Sequence, residues 1–241
     1  MPTLEETLKR LAITFTVKDI MIPSAALVCA GDESEAAKVS NGNPDFNVIP
    51  IKREGKLGGY FERDSHIARE ITLNDLISDG TSLLDLVEIL EERQFSFILS
   101  HRQIAGYAHF SDLNHHLVKL AFYVILEALE RHVLSSIQGR DANDKEFLSK
   151  NLNPNRFPRI SEQYKRDGDA ARSLYNYLNI SDILHLAVKT GKLQIDNDAI
   201  REAKQVRDAA AHALENIVAD YEGVKRLGRV KRECLRILGG A

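Results

Sequence analysis

The feature that most constrains this chain is an internal repeat. Gly58-Gly-Tyr-Phe-Glu-Arg-Asp64 and Gly106-Tyr-Ala-His-Phe-Ser-Asp112 share a Gly and an Asp at identical six-residue spacing, offset by 48 residues. An apolar strand-length run, a short polar turn and a second such run precede each copy. FNVIPI, Gly55-Lys56 and LGGYF form the first set, and FSFILS and IAGYAHF the second. ALVCA, further upstream, also reads as a strand. Between the copies, SLLDLVEILEERQ places Leu83, Leu84, Leu86, Val87, Ile89 and Leu90 on one helical face, with Asp79, Thr81 or Ser82 as N-cap. Val17-Lys-Asp-Ile-Met21 leads into the first unit and Ile77-Ser-Asp-Gly-Thr81 into the second. Each copy is expected to run into a helix, with Asp64 and Asp112 near its N-terminus. Strands alternating with helices predict an α/β arrangement.

With 241 residues, 44% hydrophobic and 28% charged, the chain is long enough for one or two self-sufficient cores. Its two cysteines, Cys29 and Cys234, lie far apart without a CxxC or Cys/His partner, which excludes a disulfide scaffold or zinc ribbon and fits a reducing compartment. No apolar run approaches the roughly 18 residues of a membrane span, and MPTLEETLKRL is acidic where a signal peptide is basic. A cytoplasmic protein without membrane contact is therefore expected. Residues 1–139 hold 13 Lys+Arg against 20 Asp+Glu, a net −7, whereas residues 140–241 hold 19 against 15, a net +4. That asymmetry supports two modules with different partners.

The VKDIM opening, the strand–turn–strand–GxxxxxD ending and the roughly 50-residue repeat resemble a tandem pair of CBS domains over residues 14–117. The resemblance implies a regulatory module that binds adenosine-containing ligands, such as AMP or ATP, in clefts between the repeats. It further implies that Asp64 and Asp112 hold ribose hydroxyls. The family's Thr or Ser three residues after the Gly is replaced here by Phe61 and His109. The alternative role for both aspartates is N-capping of the helices that follow.

From Asp112 onward the pattern becomes helical. Leu113, Leu117, Leu120, Val124, Leu126 (or Ile125), Leu129 and Val133 recur at three- and four-residue steps, predicting a bridging helix over about 112–137. Residues 139–143 read as a loop, and the two prolines in 153–159 exclude mid-helix, so the next helix is expected from Ser161. Another begins at Ser181-Asp182 and stops at Gly191. Asp196-Asn-Asp198 caps a long helix expected to reach Val218, with Ile200, Ala203, Val206, Ala210, Leu214 and Ile217 as its stripe. The fold expected is an α/β CBS pair over 1–117, followed by an all-α helical bundle over 118–241.

On that last helix Arg207 borders the stripe, and Asp208 and His212 share a face at i and i+4. Val206-Arg-Asp-Ala-Ala-Ala-His212 resembles the Rx4–6H motif of HEPN domains, over about residues 115–238. The family's usual Asn after the Arg is Asp208 here. The resemblance implies a metal-independent ribonuclease acting as a homodimer, with two motifs facing each other. The residue types suit RNA cleavage: His transfers protons near neutrality, and Arg offers a permanently charged fork to phosphate oxygens. No Asp/Glu/His cluster has metal-ligand spacing. In this reading Arg207 holds the phosphate, His212 is base or acid, and Asp208 orients His212.

His101, His115, His116 and His132 read as turn or solvated residues, and neither cysteine has a base beside it. P-loop, dinucleotide-binding and serine-hydrolase motifs are absent. The tail KRLGRVKRECLRIL reads as a helix that packs Leu227, Val230, Cys234 (or Leu235) and Leu238 and turns Lys225, Arg226, Arg229, Lys231 and Arg232 outward. The function expected is a ligand-regulated endoribonuclease with RNA as substrate. The alternatives are a non-catalytic nucleotide sensor whose helical domain docks a partner, and a purely structural dimerisation protein.

Overall fold

The computed structural model describes residues 6, 10, 13–138, 144–168 and 172–239. The expected loop at 139–143 lies outside them. The described residues fall into two compact units: one is Ile13–Val118 with Val218–Val224, and the other holds the described residues of Met1–Ala12, Lys119–Ile217 and Lys225–Ala241.

The first unit carries two small sheets. Strands β2 (Val48–Arg53), β3 (Lys56–Glu62) and β4 (Ile67–Glu70) form an antiparallel sheet in that order. Strands β1 (Ile22–Pro23), β7 (Gln103–His109), β6 (Phe95–Ser100) and β5 (Leu76–Ser78) form the other. Helix α1 (Glu33–Gly42) starts at Asp32, which accepts from Glu35 N, and α2 (Leu83–Glu92) starts at Ser82, which accepts from Asp85 N. The buried face of α2 is Leu83, Leu84, Leu86, Val87 and Leu90, the helical stripe written in the sequence. ALVCA is not a strand; of its residues only Ala30 joins a ladder, bridging Ile51 in parallel.

The two hairpins repeat with the same register and the same bulge, and this corrects the sequence alignment by one residue. In the first, Ile51 pairs with Gly59 and the register shifts between Ile51 and Lys52. In the second, Ile98 pairs with Gly106 and the shift falls between Ile98 and Leu99. The offset is therefore 47, and Gly59 rather than Gly58 matches Gly106. Both glycines face a backbone oxygen that leaves no room for a side chain. A Cβ on Gly59 would lie 2.8 Å from Arg69 O, and one on Gly106 would lie 2.7 Å from Ile22 O. The same offset relates β1 to β4, since Ile22 faces Tyr107 as Arg69 faces Tyr60. It also relates Ala30 to Ile77, which pair with Ile51 and Ile98. Ile77–Thr81 is therefore the counterpart of the chain around Ala30, not of Val17–Met21.

In the second unit α3 (His116–Ile137) is the bridging helix, preceded by a 3-10 turn over Phe110–Asn114. Its buried side chains include Ala121, Phe122, Ile125, Leu126, Leu129 and Val133, whereas Leu120 is exposed. Helices α4 (Asp144–Asn151), α5 (Arg156–Asp167), α6 (Ile180–Lys189), α7 (Asn197–Ala211) and α8 (Tyr221–Leu238) complete the set. Helix α5 begins at Arg156, five residues before the expected Ser161. Pro158 is its third residue, inside the first turn, where a missing N–H costs no helical bond. Helix α6 is capped by Asn179 and followed by Gly191 at φ 68. In α8 Leu227, Val230, Cys234 and Leu238 are buried as expected, and so is Lys231, which does not turn outward.

Helix α7 ends at Ala211, not Val218. His212 is its C-cap in extended geometry (φ −105, ψ 119). Lys119, 7% exposed, donates from Nζ to the carbonyls of His212 (3.4 Å), Ala213 (2.9 Å) and Glu215 (2.5 Å). The ammonium thereby satisfies carbonyls that a continuing helix would have bonded internally. Leu214 is consequently 99% exposed rather than part of the stripe.

Candidate functional site

A cleft of about 550 Å3 lies within the α/β unit. Ile22 of β1, Ala26, Leu27 and Val28 of the following loop, Asp45–Val48 and Pro50 entering β2, Tyr107 of β7 and His109–Asp112 line it, with Ala219. Ile22, Val28 and Phe46 are 37%, 49% and 39% exposed, so three large apolar side chains left in water gather around one opening. Such a grouping is characteristic of a ligand site rather than of scattered surface residues.

Local structure fixes both walls. The Arg63 guanidinium donates to the carbonyls of Ser40, Asn43 (3.0 Å) and Pro44, and Arg63 N donates to Asn47 O (2.9 Å). Those bonds tie the end of α1 and the 43–47 loop to the end of β3, which sets Asp45, Phe46 and Asn47 at the cleft. On the other side, His109 N donates to Asp112 Oδ2 (2.8 Å), the capping bond of the 3-10 turn. Asn114 grips Val218 in both directions, accepting from its N–H (3.0 Å) and donating to its carbonyl (2.7 Å). That grip holds the adjoining Ala219 at the cleft.

The polar groups are few and perturbed. Burial pushes the Asp112 carboxyl pKa up, partly countered by the His109 N–H bond. Burial pushes the His109 ring below the ordinary histidine value, so the ring is neutral at pH 7. Ser111 N donates to His109 Nδ1 (3.3 Å), and Ser111 Oγ lies 2.9 Å from the same nitrogen, which leaves the ring proton on Nε2. That Nε2 is buried without a hydrogen-bond partner among the described residues. The ring lies nearly parallel to Tyr107 (8°) and 4.2 Å from the Phe110 ring. Burial also raises the Tyr107 phenol, which stays protonated.

Of the two aspartates for which the resemblance implies a ribose role, Asp112 lines this cleft and Asp64 does not. Asp64 is exposed in the turn after β3, and that turn leads to β4 rather than to a helix. In the offset of 47 the counterpart of Asp112 is Ser65, and that of His109 is Glu62 rather than Phe61. Phe61 is 3% exposed in the core with Ala30, Ala36, Ile49 and Ile51. Where the first cleft has Ile22, the other repeat has Arg69, paired with Glu62 at 3.2 Å. Tyr60 donates to Asp75 beside it (3.4 Å). The two ends of the repeat therefore differ in chemistry: one sets the half-buried Asp112 among apolar side chains, the other carries the Arg69–Glu62 ion pair and the Tyr60–Asp75 hydrogen bond. Sequence reasoning did not single out Ile22, Val28 or Phe46, because periodicity does not encode an apolar side chain left exposed in a two-residue strand or a loop.

In the helical unit Arg207 and Asp208 each pair with another side chain. Arg207 Nε lies 3.3 Å from Glu130 Oε1, and its guanidinium carbon sits 5.6 Å from the Tyr123 ring centroid. Burial raises the Glu130 pKa, with Arg207 opposing. Asp208 pairs with Lys204 at 2.5 Å. His212, the C-cap at the helix end, is exposed. Among the described residues no group of three or more His, Cys, Asp or Glu could hold a metal ion, and no helix is long and apolar enough to cross a membrane.

No protein-family model matches this chain, and neither does any curated protein. Solved structures to which it is similar are CBS domains. That of a bacterial CNNM/CorC family Mg2+ transporter in complex with ATP is 11% identical, with a TM-score of 0.37 over 48% of this chain and 94% of the other. That of a putative transporter from Clostridium difficile 630 is 16% identical, with a TM-score of 0.36 over 44% and 96%. A hemolysin-like protein containing a CBS domain from Oenococcus oeni PSU is 12% identical, with a TM-score of 0.36 over 46% and 96%.

Proposed function

We propose that this chain is a nucleotide-sensing regulatory protein. Its α/β unit is a CBS-type pair with one adenosine-binding cleft, and its helical unit docks a partner. The observation that carries this reading is the cleft at Asp112. Exposed apolar side chains at its opening suit the faces of a flat base, and the Asp112 carboxylate suits a ribose. Asp112 Oδ2 caps the turn, and its second oxygen is the acceptor for a ribose hydroxyl. The cleft takes AMP, ATP or another adenosine-containing ligand. The test is thermal denaturation of the full chain with adenosine, AMP, ATP and guanosine. Adenine compounds are expected to raise the melting temperature and guanosine is not; equal shifts with both, or none, would overturn the assignment.

A second reading is a metal-independent endoribonuclease of HEPN type, with Arg207 on the phosphate and His212 as acid or base in a homodimer. The exposed His212 imidazole favours it; the Glu130 and Lys204 pairs of Arg207 and Asp208 favour the regulatory reading. Labelled RNA incubated with the protein in EDTA, with and without ATP and AMP, separates them. The regulatory reading predicts no cleavage, whereas cleavage that disappears in His212→Ala would establish the nuclease.

A further inference from the structure

A second cleft of about 550 Å3 lies between the tips of the two hairpins and is built unlike the first. Its lining follows the internal pseudo-symmetry. At the 47-residue offset Lys52 corresponds to Leu99, Gly55 to Arg102 and Lys56 to Gln103, and all six line it. Three cations thus line one cleft, and none is a copy of another: each corresponds to an uncharged residue in the other repeat. The surrounding half of the chain is acidic, with 20 Asp+Glu against 13 Lys+Arg over residues 1–139. Three of those cations and none of those acids line this cleft, a local inversion of charge. Glu54 stands in the adjacent turn without lining it. Lys52 reaches Cys29, whose half-buried thiol is kept protonated by burial, so that partner does not neutralise its charge. Leu57 and Ile104, another equivalent pair, line the same cleft and lower the local polarity, which strengthens charge attraction at its mouth.

We propose that this cleft binds the phosphate chain of a small polyphosphorylated ligand through Lys52, Lys56 and Arg102. Arg102 supplies a planar fork for two phosphate oxygens and each lysine a point charge, a donor set matched to linked phosphates rather than to a lone carboxylate. Gln103 and Ser24 add neutral donors. The site shares no lining residue with the cleft at Asp112, so the inference stands independently of the adenosine reading.

The test is calorimetric titration of the full chain with tripolyphosphate at about 0.15 M salt, where exposed surface charges are screened. One saturable site per chain is expected, weakened at least about tenfold in the Lys52→Ala/Lys56→Ala/Arg102→Ala variant and at least about threefold in Arg102→Gln alone. Adenosine, which carries no phosphate, is expected not to displace tripolyphosphate. Titration of ATP against the tripolyphosphate complex identifies the source of the chain: competition assigns a nucleotide tail, simultaneous binding a free polyphosphate. Absence of saturable binding, or unchanged binding in both folded variants, would overturn the proposal.

Discussion

At Asp112 burial raises the carboxyl pKa more than the His109 N–H bond lowers it, and the sign of its contribution follows. An acid whose folded pKa lies above its unfolded value loses stability as pH rises through that interval, and the loss is complete above the folded pKa. Asp112→Asn keeps an acceptor for the His109 N–H and removes the buried charge. Its melting temperature at pH 7 is therefore expected to be at or above that of the parent. The difference should shrink as pH falls through the raised carboxyl value. A variant melting well below the parent at pH 7 would refute this balance. Lys119 is the opposite case, a buried cation fully used. Lys119→Met leaves the carbonyls of His212, Ala213 and Glu215 without their donor. A loss of about 1–3 kcal/mol in urea denaturation is expected, with release of the 212–216 turn. Single residues were unevenly legible. The place of Asp112 just after the second hairpin was legible because its spacing from Gly106 is a chain property. Lys119 was not, because its partners lie some ninety residues away in sequence and nothing at Ala211 marks a stop: no Gly or Pro follows, and Leu214 and Ile217 keep helical spacing.

At the scale of elements, the two hairpins test the corrected register. Gly59→Ala and Gly106→Ala each drive a Cβ to within 3 Å of a strand oxygen and are expected to cost about 1–3 kcal/mol. Gly58→Ala meets only Arg53 Cδ at 4.0 Å and is expected to be tolerated within about 0.5 kcal/mol. Denaturant titration of the three variants decides between the offsets of 47 and 48, because a one-residue slip exchanges the faces of every side chain. The slip is understandable from sequence. Gly58 and Gly59 are adjacent, and an Asp stands six residues after the wrong one. The bulge that resolves the ambiguity is a property of the pairing, absent from either strand alone. Strands β2, β3, β6 and β7 and helices α2, α6 and α8 were legible because their apolar spacing and caps are local. Helix α5 was read late because Pro158 lies in a first turn, where proline is compatible with a helix.

For the whole molecule, the acidic α/β half and basic helical half in the sequence correspond to two compact units. The return of Val218–Val224 to the α/β unit was not legible, since it rests on Asn114 gripping Val218 and on the Tyr221 hydroxyl donating to Glu91 O. The two repeats are alike in backbone and unlike in what their ends offer a ligand: Asp112, His109 and Ile22 at one, Ser65, Glu62 and Arg69 at the other. One adenosine cleft per chain is therefore expected. It is tested most directly by the stoichiometry of AMP binding, measured by calorimetry on the parent chain beside Asp112→Asn and Asp64→Asn. One site is expected in the parent, with at least about tenfold weaker binding in Asp112→Asn and unchanged binding in Asp64→Asn. Two sites per chain, or a loss in Asp64→Asn with Asp112→Asn unaffected, would contradict it.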